Sequence, residues 1–256
     1  MSRLQRAVAA VVFGVLAVGS AATARAQITG MPLFTNPRFG TGIRIHADIG
    51  QPTDKGTSLG NYSVYQGGVT LALGPVGIGA NAGVTSNTFN AVKNGATTTT
   101  LPSNTKVTVS ALLQLRVLGG GLVPLSLSLF GGASYDVNAY SFSGSVFSSL
   151  PTAIQDSIKG ANPQTLLIPV GAAVGLKVPV LGLSVWGAPR MNLMKTINCP
   201  SGATCKTNSD FRWAVGADLP ILGILSIRGA YDTGKLGGQT ISYWGVGASI
   251  GLGGMR

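Results

Sequence analysis

Apolar residues recur at every second position along most of this chain, and that period constrains the fold more than any other feature. Residues 42–50 read GIRIHADIG: Ile43, Ile45, Ala47 and Ile49 alternate with Arg44, His46 and Asp48. A helix repeats every ~3.6 residues, whereas successive strand side chains point to opposite faces, so this stretch is a strand with one aliphatic and one ionisable face. The pattern returns at 106–117, where Val107, Val109, Leu113, Leu115 and Val117 alternate with Lys106, Thr108, Ser110, Gln114 and Arg116. It returns again at 210–219, where Phe211, Trp213, Val215 and Leu219 alternate with Arg212, Ala214, Gly216 and Asp218. At 239–252, Trp244, Val246, Ala248, Ile250 and Leu252 alternate with Tyr243, Gly245, Gly247, Ser249 and Gly251. The second face is thus often Gly, Ala or Ser. A water-facing sheet surface rarely uses so much Gly, which weakens strands. The inside of a narrow barrel does, because little room exists there. The expected arrangement is therefore aliphatic outward and polar inward.

Strand-like segments lie near 39–50, 61–73, 77–86, 106–117, 125–136, 165–178, 183–192, 210–219, 224–231 and 239–252. A tilted membrane strand needs about 9–11 residues, close to these lengths. A single stretch, 149–160, reads as a candidate helix inside a connection. The connections alternate. LGPVG (73–77), LGGGLVP (118–124), VPVLG (178–182) and LPILG (219–223) are short. The segments 51–60, 86–104, 137–164, 193–209 and 232–238 are longer and polar. The turns VPVLGLSVWG and LPILGILSIRG repeat nearly the same sequence, with Gly placed for positive φ and Pro presetting the turn. Aromatic residues Tyr62, Tyr135, Tyr140, Phe211, Trp213, Tyr231 and Trp244 fall near strand ends, as in interface girdles.

The chain opens with a basic MSRLQR, an apolar run, and Ala24–Arg25–Ala26, an A-x-A-type cleavage site. Residues 1–26 are expected to be a secretory signal peptide. About 230 residues then remain, enough for one all-β domain. The division expected is 27–38 as a lead segment in the lumen or periplasm, 39–252 as barrel and 253–256 as tail. No later segment approaches about 18 uninterrupted apolar residues, which excludes a helical membrane protein. Mean hydropathy is +0.37 with 10% charged residues, low for a soluble secreted protein. Removing Arg3, Arg6 and Arg25 from the 18 basic residues leaves 15 against 7 acidic ones, spread along the chain. No basic cluster interleaves with aromatics, so nucleic acid is not an expected partner. Cys199 and Cys205 are expected to close a small disulfide loop; His46, the single histidine, is too distant in sequence to make a metal site with them.

On the signal peptide, the alternation and the asymmetry of turns and loops, residues 39–252 resemble the bacterial outer-membrane β-barrel superfamily. The resemblance implies an antiparallel up-and-down transmembrane barrel of about ten strands, with eight or twelve as alternatives, short periplasmic turns and long extracellular loops. It implies outer-membrane lipid, lipopolysaccharide and the barrel-assembly machinery as partners. Such barrels often end on an aromatic residue; this chain departs from that, with Leu252 last in its strand.

The expected lumen set is Arg44, His46, Asp48, Gln66, Asn81, Gln114, Arg116, Lys177, Arg190, Arg212, Asp218, Arg228 and Asp232. Two functions compete for it. In one, the ionisable groups pair and fill a closed barrel with a structural or surface-interaction role. In the other, excess basic charge lines a narrow pore that favours a small anionic solute. About ten strands leave little open lumen, since wide channels need about 16. A secreted soluble barrel that binds an apolar ligand is a third possibility. An enzyme would have to use His46, but no nucleophile motif such as G-x-S-x-G on a strand-to-helix turn is present, and the chain has no Glu. A non-enzymatic protein without cofactor or metal is the expectation.

Overall fold

The computed structural model describes residues 28, 30–53, 61–94, 97–102, 105–120, 123–138, 152, 164–178, 182–197, 205, 207–221, 223–236 and 239–252. They form eleven strands, all paired antiparallel: β1 (Gly42–Pro52), β2 (Asn61–Leu73), β3 (Val76–Asn94), β4 (Thr97–Pro102), β5 (Lys106–Gly120), β6 (Val123–Asp136), β7 (Gln164–Lys177), β8 (Ser184–Ile197), β9 (Thr207–Pro220), β10 (Leu225–Leu236) and β11 (Gln239–Leu252). The order β2-β1-β11-β10-β9-β8-β7-β6-β5-β3, with β2 also pairing β3, closes a ring of ten staves. β4 pairs with the far end of β3 alone and extends a hairpin beyond that ring. Closure removes the unpaired edge that an open sheet would present.

The alternation read from the sequence sorts residues by side of the wall. Ile43, Ile45 and Ile49 of β1 are exposed outward, as are Leu113, Leu115 and Val117 of β5 and Phe211, Trp213 and Val215 of β9. The opposite phase is buried: His46, Asp48, Ser110, Gln114, Ser126, Ser128, Arg190, Arg212 and Asp232. This polarity is the reverse of a soluble carrier, whose aliphatic residues would point to the axis. Trp213 and Tyr231 meet edge to face on the outer wall, ring centroids 6.3 Å apart.

Turns sit at one end, where Gly182 (φ 65°) and Gly223 (φ 75°) occupy the same place in the two repeated turns. Backbone bonds from Val178 N–H to Leu183 O and from Ile221 N–H to Leu225 O, each 2.8 Å, tie these connections down. At the other end two expectations are corrected. Residues 86–104 are not one long loop: β3 continues to Asn94 and β4 returns beside it. Residues 232–238 are strand as far as Leu236, and β11 begins at Gln239. Both segments are polar because they lie past the aliphatic belt, where a strand needs no apolar phase. The candidate signal peptide lies outside the described residues. So does the candidate helix at 149–160, apart from residue 152, which is helical. Tyr140 is also outside them.

The core is inside the ring. Residues 28–41 enter at the long-loop end, where Ile28 and Met31 pack with Val64 of β2, and descend the lumen to the turn end before β1 begins. Ile28, Met31 and Leu33 are at most 4% exposed, so this plug is packed on all sides. Leu33 joins Phe130, Ala173, Trp186, Ala188, Ala214 and Ala230 in one buried cluster. Each such aliphatic side chain is worth about 1.5–3 kcal/mol when fully buried. Inward glycines make the room. A Cβ on Gly175 would lie 2.6 Å from Pro37 Cγ, and one on Gly245 would lie 3.0 Å from Pro32 Cδ and 3.1 Å from Phe34 Cζ.

Gly175→Ala is therefore expected to destabilise the barrel by about 1–3 kcal/mol through overpacking against the plug. In a Pro37→Gly background that penalty is expected to fall to near zero. Urea unfolding of the refolded chain measures both; an equal penalty in the two backgrounds would contradict the packing.

Candidate functional site

The inward phase places the ionisable residues in three groups. On β1, β11 and β10, Asp48, Gly247 and Arg228 lie side by side in register. Gly247 has no side chain, so Arg228 reaches across it. Its Nε donates to Asp48 Oδ1 (2.6 Å) and its Nη2 to Asp48 Oδ2 (2.5 Å). A Cβ at position 247 would run into Asp48 Oδ1. Gln66 Nε2, opposite on β2, donates to Asp48 Oδ2 (2.8 Å). His46 Nδ1 lies 2.6 Å from Arg228 Nη2 and 2.9 Å from Asp48 Oδ2. A guanidinium only donates, so Nδ1 takes the acceptor role towards it. The Arg228 guanidinium also stacks over Phe34 of the plug, 4.7 Å from the ring centre.

The second group joins β8, β9 and β10. Arg190 and Arg212 face each other in register, and both turn to Asp232. Arg190 Nη2 reaches Oδ2 at 2.5 Å; Arg212 Nε and Nη2 reach Oδ1 at 3.0 and 2.8 Å. Leu33 N–H of the plug adds a bond to Oδ2 at 3.2 Å. Arg212 also donates to the carbonyls of Gly234 and Ile241 and lies over the Tyr243 ring, 5.0 Å from its centre. One fully buried carboxylate thus holds two buried guanidiniums.

The third group was not singled out from the sequence. Asp136 of β6 accepts from Lys106 Nζ (2.6 Å), Thr108 Oγ1 (2.9 Å), and the backbone N–H and hydroxyl of Thr165 (3.0 and 2.5 Å). Its signal was present: Asp136 shares the parity of Ser126, Ser128 and Ser134, all inward.

The plug itself is bound by polar contacts along its length. Asn36 Nδ2 donates to Asp218, and Gln114 Nε2 donates to Asn36 O (2.9 Å). Ser128 Oγ donates to Pro37 O (3.2 Å), and Arg116 Nη1 to Phe39 O. Backbone groups out of water must find partners, and these wall side chains supply them. Asn81 donates to Ser110 Oγ (3.1 Å). Arg44 and Lys177 are half-buried and stand apart from the three groups, at the turn end. Inside the wall a cavity of ≈80 Å³ lies between the plug and residues such as Arg44, His46, Gln66 and Arg228. The expected Cys199–Cys205 bridge involves Cys199, which lies outside the described residues. Among the described residues, no group of three or more His, Cys, Asp or Glu is placed to hold a metal ion.

No protein-family model matches the sequence, and no curated protein matches it significantly. Solved structures with a similar chain path include the translocator domain of the autotransporter NalP from Neisseria meningitidis, at 14% identity over 82% of this chain and 88% of that one, TM-score 0.43. The transport unit of the autotransporter AIDA-I from Escherichia coli matches at 10% identity over 93% and 98%, TM-score 0.42. The outer membrane protein Ail of Yersinia pestis, in a phospholipid bilayer nanodisc, matches at 11% identity over 83% and 99%, TM-score 0.41.

Removing one partner from a buried ion pair strands the other. Asp232→Ala, which leaves Arg190 and Arg212 facing each other, is expected to cost about 3–5 kcal/mol. Adding Arg190→Met and Arg212→Met to that variant is expected to recover most of the loss. Urea unfolding in micelles is the measurement; a single mutant as stable as the wild type would contradict the role given to Asp232.

Proposed function

We propose that this chain is a non-enzymatic outer-membrane barrel with a closed lumen, serving as a membrane anchor that presents its long-loop end to the outside. The observation that carries this reading is the combination of an aliphatic outer wall on every stave with a lumen filled by residues 28–41 and by carboxylate-centred arginine groups. A contiguous apolar surface of that extent is not stable in water. In hydrocarbon it is, provided every backbone group is paired within a closed barrel. The short turns then face the periplasm and the longer connections the exterior. Outer-membrane lipid and lipopolysaccharide are its surroundings, and the barrel-assembly machinery its route of insertion. His46 Nδ1 accepts from Arg228 Nη2 within the ion-pair group around Asp48, which suits a structural role better than catalysis.

The competing reading, a narrow pore, requires the plug to leave. Its departure would uncover Arg190, Arg212 and Arg228, and the resulting channel would favour anions.

Two assays test the closed-barrel reading. The expressed protein is expected to fractionate with outer membranes and to migrate faster in gels before heating than after. In planar bilayers the intact chain is expected to insulate, while deletion of residues 28–38 produces steady, anion-favouring conductance. Steady conductance from the intact chain would favour the pore; recovery in the soluble periplasm would overturn the membrane assignment.

A further inference from the structure

Two lysines break the sorting of charge by phase. The other basic side chains described on the strands, from Arg44 on β1 to Arg228 on β10, have the inward phase. Lys195 of β8 and Lys235 of β10 share instead the phase of the outer-wall residues Leu193 and Tyr231, and both are exposed. Both stand at the long-loop end, Lys195 in register with Thr207 of β9 and Lys235 with Thr240 of β11. Stave β9 runs between them and exposes Thr207 and Ser209 on the same face. The acidic residues near this end of β9 and β10, Asp210 and Asp232, are buried on the lumen side. Neither lysine is ion-paired with a described residue. Next along these staves, towards the turn end, Phe211, Trp213, Tyr231 and Trp244 are all exposed outward. Tyr231 pairs with Trp244 across β10 and β11 and meets Trp213 edge to face. The four rings form a platform on one side of the wall: the outward phases of β5, from Val107 to Val117, and of β7, from Leu166 to Leu176, are aliphatic. Beyond the platform lies an open apolar trough of ≈780 Å³, bordered by Tyr231, Val215, Val185 and Leu176. The outer wall thus passes, on adjacent staves, from trough to aromatic rings to hydroxyls and cations.

We propose that this strip is a fixed seat for one phosphorylated glycolipid of the leaflet at the long-loop end, an assignment that rests on the outer-membrane reading above. Acyl chains occupy the trough, sugar rings lie on the aromatic platform, and Lys195 and Lys235 hold phosphate, with Thr207 and Ser209 donating to it. A cation on a lipid-facing wall is costly at mid-bilayer and tolerated at the interface, where an anionic headgroup supplies the opposite charge. Lysine to phosphate is a charge-assisted hydrogen bond, stronger than one between neutral groups. Aromatic side chains suit the level between, apolar in body and, for Tyr and Trp, polar at one edge. Their faces pack on the C–H face of a pyranose, a ring that a glycerol backbone does not offer, so the platform selects a glycolipid over a glycerophospholipid.

Native mass spectrometry of the full chain, refolded in uncharged maltoside micelles and titrated with a diphosphorylated, acylated glucosamine disaccharide, tests this. One saturable adduct per chain is expected. Lys195→Gln/Lys235→Gln is expected to weaken it by about tenfold or more, as is removal of the phosphates from the lipid. Trp213→Leu/Tyr231→Leu is expected to abolish the preference over phosphatidylglycerol. Lys177→Gln, on the inward phase at the turn end, is expected to leave binding unchanged. The heat-dependent gel shift of each chain is recorded first, so that a lost adduct reports the seat and a lost shift reports the barrel. Should a variant lose the shift, the dephosphorylated lipid on the wild-type chain decides. Absence of a saturable adduct, or wild-type affinity in the double lysine variant, would overturn the seat and leave the barrel standing. Equal binding of phosphatidylglycerol would assign the patch to phospholipid headgroups and overturn the glycolipid. A wild-type chain without the shift would overturn barrel and seat together.

Discussion

A closed wall that turns its aliphatic phase outward has to satisfy everything polar on the inside. Each stave contributes one inward residue at every second position, and many of these are Arg, Asp, Gln or Ser. Water cannot fill so narrow a space in bulk, so the inward residues must pair with one another or with something else. This single constraint accounts for the arginine groups, for the inward glycines and for the segment threaded between them.

The plug and the charge groups solve the problem jointly. Asp232 binds two guanidiniums and a plug amide; Arg228 binds Asp48 and stacks on a plug aromatic. Neither layer is complete without the other, because removal of the plug would leave Leu33 and Phe34 pockets empty and several wall donors unpaired. Glycine serves this arrangement in two ways. At Gly175 and Gly245 it yields volume to the plug, and at Gly247 it lets one side chain pass over another strand. In mid-lumen the three guanidiniums of Arg190, Arg212 and Arg228 share the two carboxylates of Asp232 and Asp48.

Much of this was legible in the sequence, and the limits have physical reasons. The period of two placed Arg44, His46, Asp48, Arg190, Arg212, Arg228 and Asp232 on one phase, because alternation depends only on local backbone geometry. The repeated VPVLG and LPILG turns announced Gly182 and Gly223 for the same reason. The partners of those residues were not legible. Arg228 and Asp48 are 180 positions apart, and only barrel closure brings β10, β11 and β1 together. The abundance of inward Gly pointed to a narrow lumen, but the choice between lumen and periplasm for the lead segment was open. ITGMPLFTNPRFG has no period, since an extended segment enclosed on all sides has no solvent face. The polar stretches at 86–104 and 232–238 read as loops because the criterion for a strand was an aliphatic phase, which strands beyond the belt lack. Asp136 has the inward parity of its strand but stands at its last position, where alternation is weakest as a guide.

The polarity of the wall can be read directly from the tryptophans. Trp213 and Trp244 stand on the outer face at 42% and 41% exposure, and Trp186 lies inside at 5%. Fluorescence in vesicles of brominated lipid reports which indoles touch acyl chains. The Trp213→Phe/Trp244→Phe variant, retaining Trp186, is expected to keep its emission in brominated lipid, while Trp186→Phe is quenched strongly. Strong quenching of Trp186, or none of Trp213 and Trp244, would contradict an outward aliphatic wall around a polar, plugged lumen.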